Sequence, residues 1–456
     1  MNIVCIGSGY VGTVTGAAFA ALGQHTTVID IDSEKVQMIN SGKSPIFEPG
    51  LDALLKHVID RKLLNASTSY NEVSNAHIVF ITVGTPAEAD GTAGLKYVKE
   101  AARSIGEHLN PEHFTVIVNK STVPVGTSDL VASIIEEAST LSNNKQFTVV
   151  SNPEFLREGY ALEDVFFPDR IVIGTNHPEA RTVMRKLYHD LFENINYSEL
   201  SKIVAVKRNP KSPKAVYFET DAKSAEMIKY VSNAFLAIKI SYINEVARLC
   251  ETLGANVLDV AKGMGLDSRI GEKFLQVSSG WGGSCFPKDT SELLETSRKY
   301  GTDLTLVEAA IESNLKMHES CIIKLRRQLK TLHGKNIGIL GLTFKPNTDD
   351  ARHTQSSYII SKLIAMGANI SAHDPKGMAM FRKLNEHLPI RYCYRAEDVA
   401  ERADAIVLIT HWNEYAALDW NLVHQKMRSP YLLDTRNFLV GHRLNEAGFI
   451  YEGVGI

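Results

Sequence analysis

A chain of 456 residues is too long for one ordinary domain and long enough for two or three that each bury a core. With 44% hydrophobic and 22% charged residues and a formal net charge of -3, it has no broad field to gather nucleic acid or an anionic membrane, so any anionic ligand must be held by local groups. Five scattered cysteines, Cys5, Cys250, Cys285, Cys321 and Cys393, odd in number and without metal-ligand spacing, suit free thiols in a reducing compartment and argue against disulfides and a structural metal.

No basic segment followed by a signal-type apolar core comes after Met1, and no apolar run reaches membrane-spanning length; a cytoplasmic location is expected. Residues 2–6 are apolar and β-branched and read as a strand. Gly7-Ser8-Gly9-Tyr10-Val11-Gly12 follows at once, then an alanine-rich helical run over 13–22. A second strand over 26–29 ends in Asp30, close to the spacing of about 20 residues that separates glycines from acid in a dinucleotide-binding βαβ unit. Gly7 would make the tight turn, Gly9 would admit a pyrophosphate to backbone N–H groups, and Gly12 would let helix and strand pack closely. A carboxylate at Asp30 would accept from ribose hydroxyls and repel a 2′-phosphate, which favours NAD over NADP, with Lys35 pulling the other way.

Further strands are expected at 78–83, 115–119, 147–150 and 170–173, alternating with helical stretches such as 95–109 and 127–138. That alternation predicts a doubly wound parallel sheet, which binds ligands beyond the carboxyl ends of its strands. Three of those ends carry polar clusters: Gly84-Thr85-Pro86, Lys120-Ser121-Thr122-Val123-Pro124, and Ser151-Asn152-Pro153-Glu154-Phe155-Leu156-Arg157-Glu158. Each cluster alone suits a plain turn or cap. Their shared position speaks for a ligand. A basic stretch, with Lys202, Lys207, Arg208, Lys211 and Lys214, reads as a solvated connection out of this first domain.

Residues 222–253 form a long helical stretch, apolar around most of its circumference, which predicts burial. Lys229 and Asn233 are four apart and share a face; in so apolar a setting an ammonium implies a partner, whereas the plainer alternative is a snorkelling lysine beside a surface amide. Helices expected at 256–263, 291–300 and 304–328 surround Gly280-Trp281-Gly282-Gly283-Ser284-Cys285-Phe286-Pro287-Lys288-Asp289. The glycines let the backbone approach a ligand and Pro287 stiffens the exit. Lys288 would favour a thiolate if it points at Cys285, and Asp289 could take protons; a buried, inert cysteine is the competing reading. A second α/β unit opens at Lys335, with strands at 336–342, 368–372, 405–409 and 431–433 and no full dinucleotide fingerprint. Lys345, Asp349, Asp350, Arg352 and Arg436 lie at its strand ends, where cations suit a second phosphate-bearing ligand or simply solvent.

Taken together and in this order, the glycine turn, Lys120 to Pro124, Asn152 to Gly159, Lys229 with Asn233, Ser268-Arg269-Ile270-Gly271, Gly282 to Asp289 and Phe344-Lys345-Pro346 resemble the UDP-glucose/GDP-mannose dehydrogenase family over essentially the whole chain. The resemblance implies an α/β fold of two Rossmann-like doubly wound domains joined by a central helical domain with one long helix. It implies an NAD-binding domain over 1–200, a dimerisation and catalytic-cysteine domain over 215–328, and a UDP-sugar-binding domain over 329–456. The implied activity is oxidation of UDP-glucose to UDP-glucuronate by two hydride transfers and a hydrolysis through a Cys285 thioester. GDP-mannose or a UDP-N-acetylhexosamine are alternative substrates. A simple two-electron dehydrogenase with a structural Cys285, and a silent NAD-binding protein, are rivals of other kinds. Cys285, Lys229, Asn233, Asp289, Glu154 and Thr122 would carry the chemistry. Gly7, Gly9, Tyr10, Val11, Gly12, Asp30, Lys35, Thr85, Thr122, Glu158, Lys288 and Arg352 would face the cofactor. Glu154 to Glu158, Lys229, Asn233, Phe274, Leu275, Gln276, Ser278, Gly282, Phe344, Lys345 and Arg436 would hold the sugar nucleotide, with Arg269 reaching it from a neighbouring subunit of a homodimer. Two features depart from the family: a longer connection over 200–219, and His353-Thr354 after Arg352.

Overall fold

The computed structural model describes residues 1–193, 195, 201–204 and 214–456, so Lys207, Arg208 and Lys211 of the expected basic connection lie outside the described residues. It divides into two compact units, Met1–Val231 and Ser232–Ile456.

The first unit is built on an eight-stranded sheet in the order β3-β2-β1-β4-β5-β6-β7-β8. Its strands are β1 (Asn2–Ile6), β2 (His25–Ile29), β3 (Leu64–Ser67), β4 (Ile78–Ile81), β5 (Thr115–Asn119), β6 (Phe147–Ser151), β7 (Arg170–Gly174) and β8 (Val216–Thr220). Helices cover both faces, so the central strands alternate between two apolar cores: Ile3, Cys5, Ile78 and Phe80 enter one, while Val4, Ile6, Val79 and Ile81 enter the other. Phe19, on the helix Tyr10–Ala21, is sealed in the first core between Phe80 and Tyr188, each with its ring centroid 5.5 Å away. Burying such a ring contributes about 1.5–3 kcal/mol.

The expected all-parallel sheet is corrected at one place: β7 runs antiparallel to β6, with Ser151 opposite Gly174. A parallel crossover is usually made by a helix packed across the sheet face. The segment between these strands holds only the six-residue helix Ala161–Phe166. The strands β3 and β8 escaped sequence reasoning because their sequences, LNAS and VYFET, are short and mix polar with apolar residues at a sheet edge.

The long helix Ala222–Leu253 has the expected bounds and carries the boundary between the units. Its expected burial is only half met. Ala234, Ala237, Ile243 and Ala247 are buried, whereas Phe235 is 61% exposed, Tyr242 52% and Leu249 57%. These three recur every seventh residue and so line one uncovered stripe.

The second unit continues with the helices Val257–Gly265, Phe286–Lys299 and Thr305–Leu329. The helix expected from 291 in fact starts directly after Cys285, because Pro287 in its first turn needs no N–H there and fits helical geometry. A six-stranded parallel sheet in the order β11-β10-β9-β12-β13-β14 completes the unit. Its strands are β9 (Asn336–Leu340), β10 (Asn369–His373), β11 (Ile390–Tyr392), β12 (Ala405–Leu408), β13 (Tyr431–Asp434) and β14 (Ile450–Glu452). Among the described residues no helix is long and apolar enough to cross a membrane.

Candidate active site

In the first unit the glycine turn joins β1 to the helix Tyr10–Ala21. Gly7 has φ +103, and a Cβ at Gly12 would stand 1.8 Å from the Gly7 carbonyl oxygen, so both positions require glycine. The helix starts after Gly9, a cap without a side chain, which leaves its first N–H groups for an anion. The turn is tied to the next strand end: the Ser8 N–H and hydroxyl donate to Asp30 Oδ2 at 2.7 and 2.6 Å, and the Asp32 N–H donates to Oδ1 at 3.0 Å. Burial pushes the Asp30 pKa up, but the hydrogen bonds from Ser8 and Asp32, helped by Lys35, bring it below the ordinary carboxylate value. An ionised acid therefore stands at the tip of β2, where a ribose would bind. Tyr10 donates its hydroxyl to the Phe47 carbonyl at 2.9 Å, and Thr85 donates to the Thr122 carbonyl at 2.9 Å, which joins the tips of β4 and β5.

The tip of β6 carries the buried acid. Glu154 Oε1 lies 2.8 Å from Lys229 Nζ, with the two side chains 8% and 5% exposed. Oε2 accepts from the Leu156 N–H at 2.5 Å. The Arg170 guanidinium sits 3.9 Å over the Phe155 ring, and Arg157 is paired with Asp164 at 2.6 Å. Of the two sequence readings of Lys229, the snorkelling one is overturned: the lysine is 4% exposed and ion-paired.

Among the described residues of the first unit, two buried acids were missed. Glu48 accepts from the Gly159 and Ala161 N–H groups at 2.6 and 2.7 Å, fixing the exit of the Glu154 loop. Glu226 accepts from Gly126 N–H at 2.6 Å and from the Ser128 N–H and hydroxyl, which anchors the chain just after Thr122 to the start of the long helix. Burial pushes its pKa up. Its place one helical turn before Lys229 was the one available signal.

In the second unit Cys285 is exposed, while Cys5, Cys250, Cys321 and Cys393 are buried. That contradicts the buried, inert reading. Cys285 occupies the N-cap of the helix Phe286–Lys299, a position that favours a thiolate through the helix dipole. Four residues on, Asp289 is 1% exposed and held on both oxygens. Lys288 Nζ lies 2.5 Å from Oδ1, and Asn233 Nδ2 donates to Oδ2 at 2.6 Å. Asn233 therefore reaches this cluster, while Lys229, on the same helix, belongs to the first unit.

The thiol loop is clamped by residues that carry no sequence signature. Asn314 accepts from the Trp281 N–H at 2.7 Å and donates to its carbonyl at 2.9 Å. Gln355 donates to the Gly280 carbonyl at 2.6 Å, and Asn244 accepts from the Ser278 N–H at 3.0 Å. Gly282 would carry its Cβ 2.4 Å from the His353 carbonyl, and Gly283, at φ +87, would carry one 2.7 Å from the Phe344 ring. Before the loop, Phe274 has φ +65, Leu275 is buried, Gln276 is exposed and Arg269 is paired with Asp267 at 2.6 Å.

At the strand ends of the second sheet, Arg436 donates to the Ile409 carbonyl at 2.8 Å and the Phe344 carbonyl at 3.3 Å, and burial pushes its pKa down to about 10. Lys345 Nζ lies 5.3 Å from the Phe344 ring centroid, and Arg352 grips Asp350 at 2.7 Å. Asp374 ends β10 as Asp30 ends β2, yet it is fully buried. One oxygen takes the Leu342 and Thr343 N–H groups and the Trp412 indole N–H; the other takes the N–H groups of Lys376 and Gly377. No capacity remains for a ribose, which explains why this sheet is not a second dinucleotide site.

The NAD-binding domain of the UDP-glucose/GDP-mannose dehydrogenase family matches residues 1–192, its central domain 223–316 and its UDP-binding domain 338–441. The glycine turn and the ionised Asp30 fit NAD, which is the cofactor of the first unit. The chain is 44% identical over 461 residues to the UDP-glucose 6-dehydrogenase of Rhizobium meliloti, covering 100% of this chain and 99% of that one. It is 41% identical over 456 residues to UDP-glucose 6-dehydrogenase TuaD of Bacillus subtilis, covering 100% and 93%. Among solved structures it is similar to a UDP-glucose dehydrogenase from Pyrobaculum islandicum, with a TM-score of 0.86 at 34% identity covering 100% of this chain and 97% of the other. A UDP-D-ManNAc dehydrogenase from Pyrococcus horikoshii gives a TM-score of 0.84 at 27% identity, covering 100% and 99%. The chain belongs to the UDP-glucose/GDP-mannose dehydrogenase family.

Proposed function

We propose that this chain oxidises UDP-glucose to UDP-glucuronate, with Cys285 as the covalent nucleophile. The observation that carries the reading is an exposed thiol at a helix start, four residues before a buried carboxylate locked by Asn233 and Lys288. NAD, which the glycine turn and Asp30 would hold, would supply the hydride acceptor, one molecule for each of the two oxidations. In the first, Lys229, Asn233, Glu154 and Thr122 through a water take the proton of the C6 alcohol and balance the alkoxide charge. The Cys285 thiolate then adds to the aldehyde, forming a C–S bond and a thiohemiacetal. Loss of the second hydride from that adduct leaves a thioester. Water, activated by Asp289 or Glu154, cleaves the C–S bond and returns the thiol, so one alcohol, one water and two NAD+ give one carboxylate, two NADH and three protons.

Phe155 to Glu158, Phe274 to Ser278, Phe344, Lys345 and Arg436 are assigned to the sugar nucleotide. Glu158, Lys288 and Arg352 are assigned to the cofactor side. The chain is read as three domains, 1–200, 215–328 and 329–456, a division that the three family-domain matches support. A cytoplasmic homodimer is proposed. The uncovered stripe of Phe235, Tyr242 and Leu249 supports pairing of the long helices, and the exposed Arg269 suits a residue lent to a neighbouring subunit.

The test is the ratio of NADH formed to UDP-glucose consumed at limiting sugar nucleotide, for the intact protein and for Cys285→Ser. Two NADH per UDP-glucose, with the variant losing the second oxidation, supports the thioester route. One NADH would make Cys285 structural. No NADH would move the reading to GDP-mannose or a UDP-N-acetylhexosamine.

A further inference from the structure

The Lys120 ammonium takes no part in the steps above, yet it is buried at the heart of the first unit, 7% exposed at the tip of β5. Its Nζ donates to Asn152 Oδ1 at 3.1 Å and to the Tyr188 hydroxyl oxygen at 3.3 Å, and Tyr188 donates its own proton to the same Asn152 oxygen at 2.5 Å. Asn152 is pinned further by its Nδ2, which donates to the Val172 carbonyl at 2.9 Å, and by its N–H, which donates to the Asn119 carbonyl at 2.9 Å. The side-chain oxygen, side-chain amide and backbone N–H of this asparagine are therefore all engaged, and Glu154 follows it by two residues, across Pro153. Because Pro153 has a fixed φ, an orientation imposed at Asn152 is passed on to Glu154 with little slack.

We propose that Lys120 is a positioning residue for the reaction: through Asn152 it aims Glu154 at Lys229, and it supplies a second cation to that buried carboxylate. The groups facing it are Cys5 from β1, Asn152 and Glu154 from the tip of β6, Tyr188 from the helix Pro178–Glu193, and Lys229 from the long helix. Glu154 and Cys5 favour its charged form and Lys229 opposes it, while burial, the largest influence, pushes it down to about 8. A lysine kept in such a place at that cost argues for its charge, since an apolar side chain of similar length would fill the space more favourably. It also joins two strand ends that carry chemistry, because Thr122 lies two residues beyond it.

This inference rests on the proposed oxidation. Its experiment compares the intact protein with Lys120→Met, nearly equal in volume, and Tyr188→Phe, which removes only the hydroxyl on Asn152. Initial NADH rates are measured from pH 6 to 10, together with thermal midpoints. Lys120→Met is expected to lower kcat by about ten- to a hundredfold with a much smaller change in KM, as a displaced base does. The acid limb of kcat/KM should move to higher pH, because removing a cation from beside a carboxylate makes that carboxylate easier to protonate. Tyr188→Phe should shift both in the same direction, severalfold in kcat. Pressing against Phe19, its ring keeps the core filled even if Lys120→Met folds poorly. A pH profile that superimposes on the parent's, whatever happens to the thermal midpoint, would reduce Lys120 to a structural role and overturn the proposal. If the parent reduces no NAD with UDP-glucose, the substrate reading fails instead, and the same comparison is run on whichever nucleotide sugar is turned over. Should none be, Lys120 has no reaction to position and the proposal falls too.

Discussion

The buried ion pair of Glu154 and Lys229 makes an unequal prediction for its two halves. At 2.8 Å and an effective dielectric constant of 20, the pair attracts by about 6 kcal/mol before the cost of taking both ions from water. Removing one partner of such a pair costs about 3–5 kcal/mol, because the other charge stays buried alone. Here the survivors differ. Lys229→Met leaves Glu154 with the cation of Lys120, whereas Glu154→Gln removes the carboxylate that acts on both ammonium groups, whose mutual repulsion remains. Glu154→Gln should therefore destabilise more, near the upper end of that range, and Lys229→Met near the lower. The double variant should cost less than the sum of the two, with a coupling of about 2–3 kcal/mol. Urea unfolding of the four full-length proteins, followed by far-ultraviolet circular dichroism, gives all three quantities. Single changes that cost under about 1 kcal/mol, or a coupling near zero, would refute the idea that this pair is a desolvated unit.

Gly283→Ala should lower stability by about 2–3 kcal/mol, since it forces an L residue to φ +87 and its Cβ into the Phe344 ring; a thermal midpoint equal to the parent's would count against the loop geometry. Asn314→Ala leaves the Trp281 N–H and carbonyl buried without their partner, which should cost about 2–3 kcal/mol and change the rate at which iodoacetamide alkylates Cys285, read by mass spectrometry. His411 is pushed down to about 4 by burial and by Arg436 from an ordinary 6.5, so below pH 6.5 the unfolded chain takes up a proton that the folded chain refuses. Its contribution to stability is whole above pH 6.5 and falls away toward pH 4, and His411→Asn should show a smaller drop in thermal midpoint between pH 7 and 5. Phe235→Glu should convert the proposed dimer to monomer in sedimentation equilibrium while leaving the secondary structure intact.

What was legible in the sequence was what neighbours along the chain decide. Gly7 and Gly12 announced a turn with no room for a Cβ, the acid at the tip of β2 announced a ribose partner, and the 32-residue helix Ala222–Leu253 was found with the right bounds because its breakers lie beside it. The decapeptide ending at Asp289 likewise marked Cys285. Contacts between distant segments were out of reach: the Glu48 carboxylate under Gly159, the Asn314 clamp on Trp281, and the tie from Lys120 to Asn152 each join residues whose local sequence would suit a turn, a helix face or a cap. The antiparallel pairing of β6 with β7 also depended on where a short helix left the chain, which periodicity does not encode. Asp30 and Asp374 show the division most plainly. Each ends the second strand of a βαβ unit and reads alike in sequence, but hydrogen bonds from Trp412 and the loop after β10 consume every acceptor site of Asp374, while Asp30 keeps part of its carboxylate for a ligand. Strand-end chemistry is written locally; whether the group is available is decided by what folds over it.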